Sequence, residues 1–89
     1  MPHRKFNVYG KVQGVWFRKH TQAKALELNL TGTVENLSDG SVQAFASGSA
    51  KALDAFAAWL WQGSPQSEVA DVKSTDLPEA SYEGFEILR

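Results

Sequence analysis

From Lys5 to Val12 apolar and polar side chains alternate, and within a few residues the spacing becomes helical. Phe6, Val8, Gly10 and Val12 share one face, while Lys5, Asn7, Tyr9 and Lys11 share the other. That period of two predicts a strand with one wet face. The change of period falls across Gly10-Lys11-Val12-Gln13-Gly14-Val15-Trp16-Phe17-Arg18. Turning from strand to helix in so short a run needs sharp bends. Gly10 and Gly14, lacking Cβ, allow such bends and a close approach of backbone to ligand. A loop entering a helix N-terminus leaves several N–H groups unpaired, which suits an anion. Arg18 adds a planar fork of donors matched to phosphate. On chemistry alone the stretch is a candidate oxyanion cradle.

The remaining chain supplies the partners such a strand needs. Lys19 to Leu28 is rich in helix formers, with Ala23, Leu26 and Leu30 expected inward and Lys24 and Glu27 outward. Asn29 suits a left-handed cap, and Gly32 is expected to clear the chain for a turn. Thr33–Leu37 predicts a strand, and Asp39-Gly40 a hairpin whose two positions both tolerate positive φ. Ser41–Ser47 returns as a strand with Val42, Ala44 and Ala46 on one face. Ser49 is an N-cap for a helix from Ala50 to about Gln62, with Leu53, Phe56, Ala57 and Leu60 inward; Gly63-Ser64-Pro65 ends it. Trp59 and Trp61 cannot both point inward. Glu68–Leu77 predicts a strand in which Val69 and Val72 lie an odd number of residues apart. Either a bulge corrects the phase or one valine faces out. Tyr82–Leu88 predicts a last short strand, with Phe85 and Ile87 inward. The order β-α-β-β-α-β, with room for a further edge strand, defines an α+β ferredoxin-like sandwich. Two helices pack on one face of an antiparallel sheet, whose other face stays open.

Composition narrows the function. Eighty-nine residues make one domain, 1–89, and a chain of this size buries roughly 60–65% of its unfolded surface. A net charge of −1 argues against nucleic-acid binding through the phosphate backbone. Tyr9 and Phe45 face the open side of the sheet, but Ser41–Ala46 lacks the basic and aromatic pattern of an RNA-stacking strand. Without cysteine there is no disulfide, thiolate nucleophile or Cys-ligated metal. His3 and His20 have no metal-ligand spacing and read as surface residues. The serines have no neighbouring histidine base. No signal peptide follows Met1–Lys5, and no segment approaches a membrane span, so a cytoplasmic protein is expected. Neither G-x-x-x-x-G-K-[ST] nor G-x-G-x-x-G occurs.

Two polar residues stand out. Arg18 follows the glycine loop; alone it would read as a solvated arginine at a helix start. Asn36 shares the parity of Val34 and so points to the helix side at the end of its strand; alone it would read as a turn residue before Asp39-Gly40. The topology brings the start of the first helix near the end of the second strand, so the two should meet. A carboxamide there accepts from a water and donates to a substrate oxygen.

Gly10 to Arg18, Gly32 to Asn36, Asp39-Gly40-Ser41-Val42 and Gly84-Phe85-Glu86-Ile87 together resemble the acylphosphatase family. The resemblance extends over essentially the whole chain, and Val12-Gln13-Gly14-Val15 followed by Phe17-Arg18 is its most specific part. It implies hydrolysis of the carboxyl–phosphate bond of small acyl phosphates, with no metal and no cofactor. It further implies that the main-chain amides of Gln13, Gly14, Val15, Trp16, Phe17 and Arg18 wrap the phosphate. Arg18 would be the main phosphate ligand, and Asn36 would hold the attacking water. Two positions depart from the usual pattern. Trp16 stands where many members carry a small residue, and Thr33 stands where an aromatic is usual. The partners expected are an acyl phosphate substrate and inorganic phosphate as product, with no nucleic acid or membrane, for a chain acting whole and as a monomer. The competing reading is a non-catalytic, phosphate-binding accessory module of the kind found inside larger hydrogenase-maturation proteins.

Overall fold

The computed structural model describes residues 1–88. The alternating segment becomes β1, His3–Lys11, and is followed by α1 (Phe17–Glu27), β2 (Thr31–Asn36), β3 (Val42–Ser47), α2 (Ala50–Gln62), β4 (Glu68–Leu77) and β5 (Phe85–Leu88). The sheet order is β4-β1-β3-β2-β5. The first four strands pair antiparallel, and β5 adds to the edge of β2 in parallel, Val34 beside Ile87. This is the expected ferredoxin-like sandwich. The β1–β3 register sets Phe6 against Ala44 and Val8 against Val42, so a fully buried apolar row runs across the central strands.

The helices cover that row. In α2, Leu53, Phe56 and Leu60 are buried as their spacing predicts, and Phe56 packs edge-on against Phe6 at 5.3 Å between ring centres. Ser49 caps the helix by accepting the Ala52 N–H at 3.1 Å. Trp61 is half exposed while Trp59 leans on Phe17, which settles how two tryptophans share one helix.

The inward face of α1 differs from the expected one. The helix begins at Phe17, two residues earlier than expected, and it buries Phe17, Thr21 and Ala25, while Ala23 is exposed and Leu26 is 53% exposed. Spacing of four from a buried phenylalanine overrides the weaker pattern of Ala23 and Leu26, because the first turn is anchored by a large aromatic. Asn29 adopts the expected left-handed conformation, φ 59°.

Gly32 makes no turn. It lies inside β2, where an added Cβ would sit 1.7 Å from the Phe45 carbonyl oxygen, so close approach of two strands is what demands glycine. The hairpin turns through Leu37–Ser41, and only Gly40 takes positive φ (90°). In β4 the register against β1 shifts between Tyr9 and Gly10, so the bulge alternative holds and both Val69 and Val72 pack on the core. Phe85 is buried, but Ile87 is 38% exposed and faces the cleft described below.

One end of the outer sheet face is covered. The segment 78–82 folds across it, the Ser47 hydroxyl donates to the Ala80 carbonyl at 2.6 Å, and His3 is 8% exposed. His3 Nδ1 lies 3.0 Å from the Pro78 carbonyl oxygen and Nε2 2.8 Å from the Tyr82 hydroxyl. A carbonyl only accepts, so Nδ1–H donates there, and Nε2 and the Tyr82 hydroxyl share the second bond. Burial pushes the Tyr82 hydroxyl up. His3 is therefore a structural residue between strand and loop, where the sequence suggested a surface histidine. His20 is exposed as expected.

Candidate active site

The residues between β1 and α1 alternate in orientation. Val12, Val15 and Phe17 are buried, while Gly14, Trp16 and Arg18 line a cleft of about 390 Å³ together with Lys19, Asn36, Ile87 and the edge of Val12. Two left-handed residues make the path possible, Gly14 at φ 74° and Trp16 at φ 62°. Left-handed backbone is unusual for so bulky a residue, and such strain clusters where a ligand is gripped. The Trp16 side chain is 71% exposed at the cleft.

The first hydrogen bond of α1 runs from the His20 N–H to the Trp16 carbonyl at 3.1 Å. The amides of Phe17, Arg18 and Lys19 therefore have no acceptor in the helix. Among the described residues none of the amides from Gln13 to Arg18 donates to another group outside regular strand pairing. A helix N-terminus with free amides carries partial positive charge, and the nearby guanidinium of Arg18 adds a full one. The side-chain groups of the loop point elsewhere. Gln13 Nε2 donates to the Leu37 carbonyl at 2.7 Å and to the Ser41 carbonyl at 2.9 Å, tying the loop to the β2–β3 hairpin.

Asn36 ends β2 and turns to the helix side, in step with the fully buried Val34. Its Oδ1 is buried and has no hydrogen-bond partner among the described residues. A buried carbonyl oxygen left unpaired costs about 1–3 kcal/mol, so a group that arrives there with a proton to donate is favoured. Arg18 and Asn36 line the same cleft, as the topology predicts. Thr33 sits on the opposite sheet face, paired with Phe45, and is not part of the cleft. Lys19 and Ile87 are cleft residues that sequence reasoning did not select. Lys19 follows Arg18 in the motif, but Ile87 reaches the site only because β5 pairs with β2.

Asp39 shapes the hairpin behind Asn36. It accepts the Ser41 hydroxyl at 2.5 Å and the Ser41 N–H at 2.9 Å, and these bonds hold its carboxyl below the usual range. No cluster of His, Cys, Asp and Glu suited to a metal ion occurs among the described residues, and no described helix is long and apolar enough to cross a membrane.

A ferredoxin-like sandwich whose strand-to-helix loop sets free amides and an arginine beside a carboxamide defines a protein built to receive an oxyanion. Comparison with known proteins makes the class specific. The family profile described as Acylphosphatase matches residues 4–87. The acylphosphatase of Xanthomonas euvesicatoria is 52% identical over 85 residues, covering 96% of this chain and 97% of that protein. The crystal structure of the acylphosphatase from Bacillus subtilis superposes with a TM-score of 0.97 at 36% identity, covering all of both chains. The HypF structure from T. kodakarensis aligns at 29% identity and TM-score 0.82, over 98% of this chain but 12% of that one. The chain belongs to the acylphosphatase family.

Proposed function

We propose that this enzyme hydrolyses the carboxyl–phosphate bond of small acyl phosphates by in-line attack of a water held by Asn36. The observation that carries the reading is the buried, unpartnered Asn36 Oδ1 on the cleft that Arg18 lines. The free amides from Gln13 to Arg18 and the Arg18 fork receive the phosphoryl oxygens. Fixed donors in a partly dry site stabilise the spreading negative charge better than water does, because they need not reorganise. A water that donates to Asn36 Oδ1 keeps a lone pair free for phosphorus. As its oxygen bonds to phosphorus, the bond to the carboxyl oxygen breaks and the carboxylate departs. The water's proton passes to a phosphoryl oxygen, giving inorganic phosphate. The leaving group is a stable carboxylate, so no serine or cysteine nucleophile is required.

Trp16 and Ile87 form the apolar rim toward which the acyl group extends. The reading takes the enzyme to act as a monomer. The test is hydrolysis of benzoyl phosphate, with EDTA present and inorganic phosphate as competitor. Turnover that EDTA leaves intact and phosphate inhibits supports the proposal. Phosphate binding without turnover would favour the accessory-module reading.

A further inference from the structure

The connection between α2 and β4 carries no residue assigned to the reaction, yet it touches the phosphate loop at one polar point. Ser64, only 2% exposed, donates its hydroxyl to the Val15 carbonyl at 3.0 Å. Val15 and Trp16 share a peptide plane, and in a trans peptide the carbonyl and the following N–H point in opposite directions. Fixing the Val15 carbonyl toward Ser64 therefore turns the Trp16 N–H away from that connection, and Trp16 lines the cleft with Gly14 and Arg18.

We propose that Ser64 is a positioning residue that sets the 15–16 peptide plane so that the Trp16 amide, and not the Val15 carbonyl, faces the anion. The sign of this choice matters, since a flipped plane would present an oxygen to a phosphate. The buried Val15 side chain and the His20 N–H on the Trp16 carbonyl hold either end of this stretch, but among the described residues the only hydrogen bond to the 15–16 plane itself comes from Ser64. Ser64 is held in turn. Its carbonyl accepts from the Ser67 N–H at 3.0 Å and from the Ser67 hydroxyl at 2.7 Å. Gly63 beside it packs close to Phe17, where an added Cβ would lie 3.0 Å from the ring. The connection is thus wedged against the first turn of α1 and is rigid enough to aim one hydroxyl.

The proposal rests on the phosphate-cradle reading, and the experiment separates the two. Wild type and Ser64→Ala are titrated with inorganic phosphate while backbone amide resonances are followed, at a temperature where thermal melts show both folded. In the wild type the Trp16 amide should shift on binding. In Ser64→Ala that response should shrink and phosphate should bind about tenfold more weakly, as expected for one misaligned charge-assisted donor. KM should rise by more than kcat falls. A merely structural serine would lower the melting temperature and leave the Trp16 response intact; that result, with phosphate affinity within twofold of wild type, overturns the assignment. Wild type showing no shift of any loop amide would overturn the cradle and this proposal with it. If Ser64→Ala fails to fold, Ser64→Cys, close in volume but a weak donor, is judged by the same criteria.

Discussion

The Gln13 carboxamide donates to the carbonyl of Leu37, the residue after Asn36, across 2.7 Å. Its second bond, to Ser41, spans the mouth of the same hairpin. One side chain thus couples the loop proposed to grip phosphate to the strand end proposed to hold water. Gln13→Ala leaves both carbonyls to find water or stay unpaired. We expect a loss of about 1–3 kcal/mol in urea unfolding and roughly a tenfold fall in kcat/KM through misalignment of Asn36. Full activity in this variant would show that the coupling is dispensable.

Arg18 and Asn36 should fail differently. Arg18→Ala is expected to lose both phosphate affinity and turnover, with at least ~10²–10³ in kcat, by analogy with single oxyanion donors. Arg18→Lys should not restore it, because a point charge cannot reproduce the fork. Asn36→Ala should lower kcat while inorganic phosphate still competes at nearly wild-type concentrations. Equal loss of phosphate binding in the two variants would contradict this division of roles.

Two glycines with positive φ should respond unequally to alanine. At Gly32 (φ 152°) the new methyl would meet the Phe45 carbonyl inside the sheet, and destabilisation above about 3 kcal/mol is expected by chemical denaturation. At Gly14 (φ 74°) nothing among the described residues lies within 4 Å of an added Cβ, so only the backbone penalty of about 1–2 kcal/mol applies. Similar losses at the two sites would count against the close strand approach.

Acid should loosen the hairpin behind Asn36. The Asp39 carboxyl is held below the ordinary aspartate range, first by the Ser41 hydroxyl and then by the Ser41 amide. A depressed folded-state value means the stabilisation is fully present above the unfolded value and disappears as pH falls through the folded one. The stability difference between wild type and Asp39→Asn should therefore be constant above about pH 5 and shrink progressively below about pH 4. A difference that persists unchanged into strong acid would show that the ionised carboxylate is not what Ser41 binds.

Periodicity sufficed where one strong signal was enough. Ser49 announced the start of α2, Leu53, Phe56 and Leu60 announced its face, and the offset of Val69 from Val72 announced a bulge or an outward valine. The alternation in β1 and β3 gave the core row of Phe6, Val8, Val42, Ala44 and Ala46 directly. It failed at α1, where Phe17 closes the loop and opens the helix together, and its anchoring of the first turn rotates Leu26 outward. It also failed at His3, since burial there comes from a loop more than seventy residues away in the chain.

The amino-acid order alone singled out the residues proposed to bear the chemistry, because a glycine loop ending in arginine and an asparagine in phase with a buried valine are local patterns. It could not settle what holds them. Gln13 reaching Leu37, Ser64 reaching Val15 and Ile87 arriving beside Asn36 all join segments far apart along the chain. Such contacts depend on sheet order and on how an end helix meets a loop, and local periodicity carries no record of either.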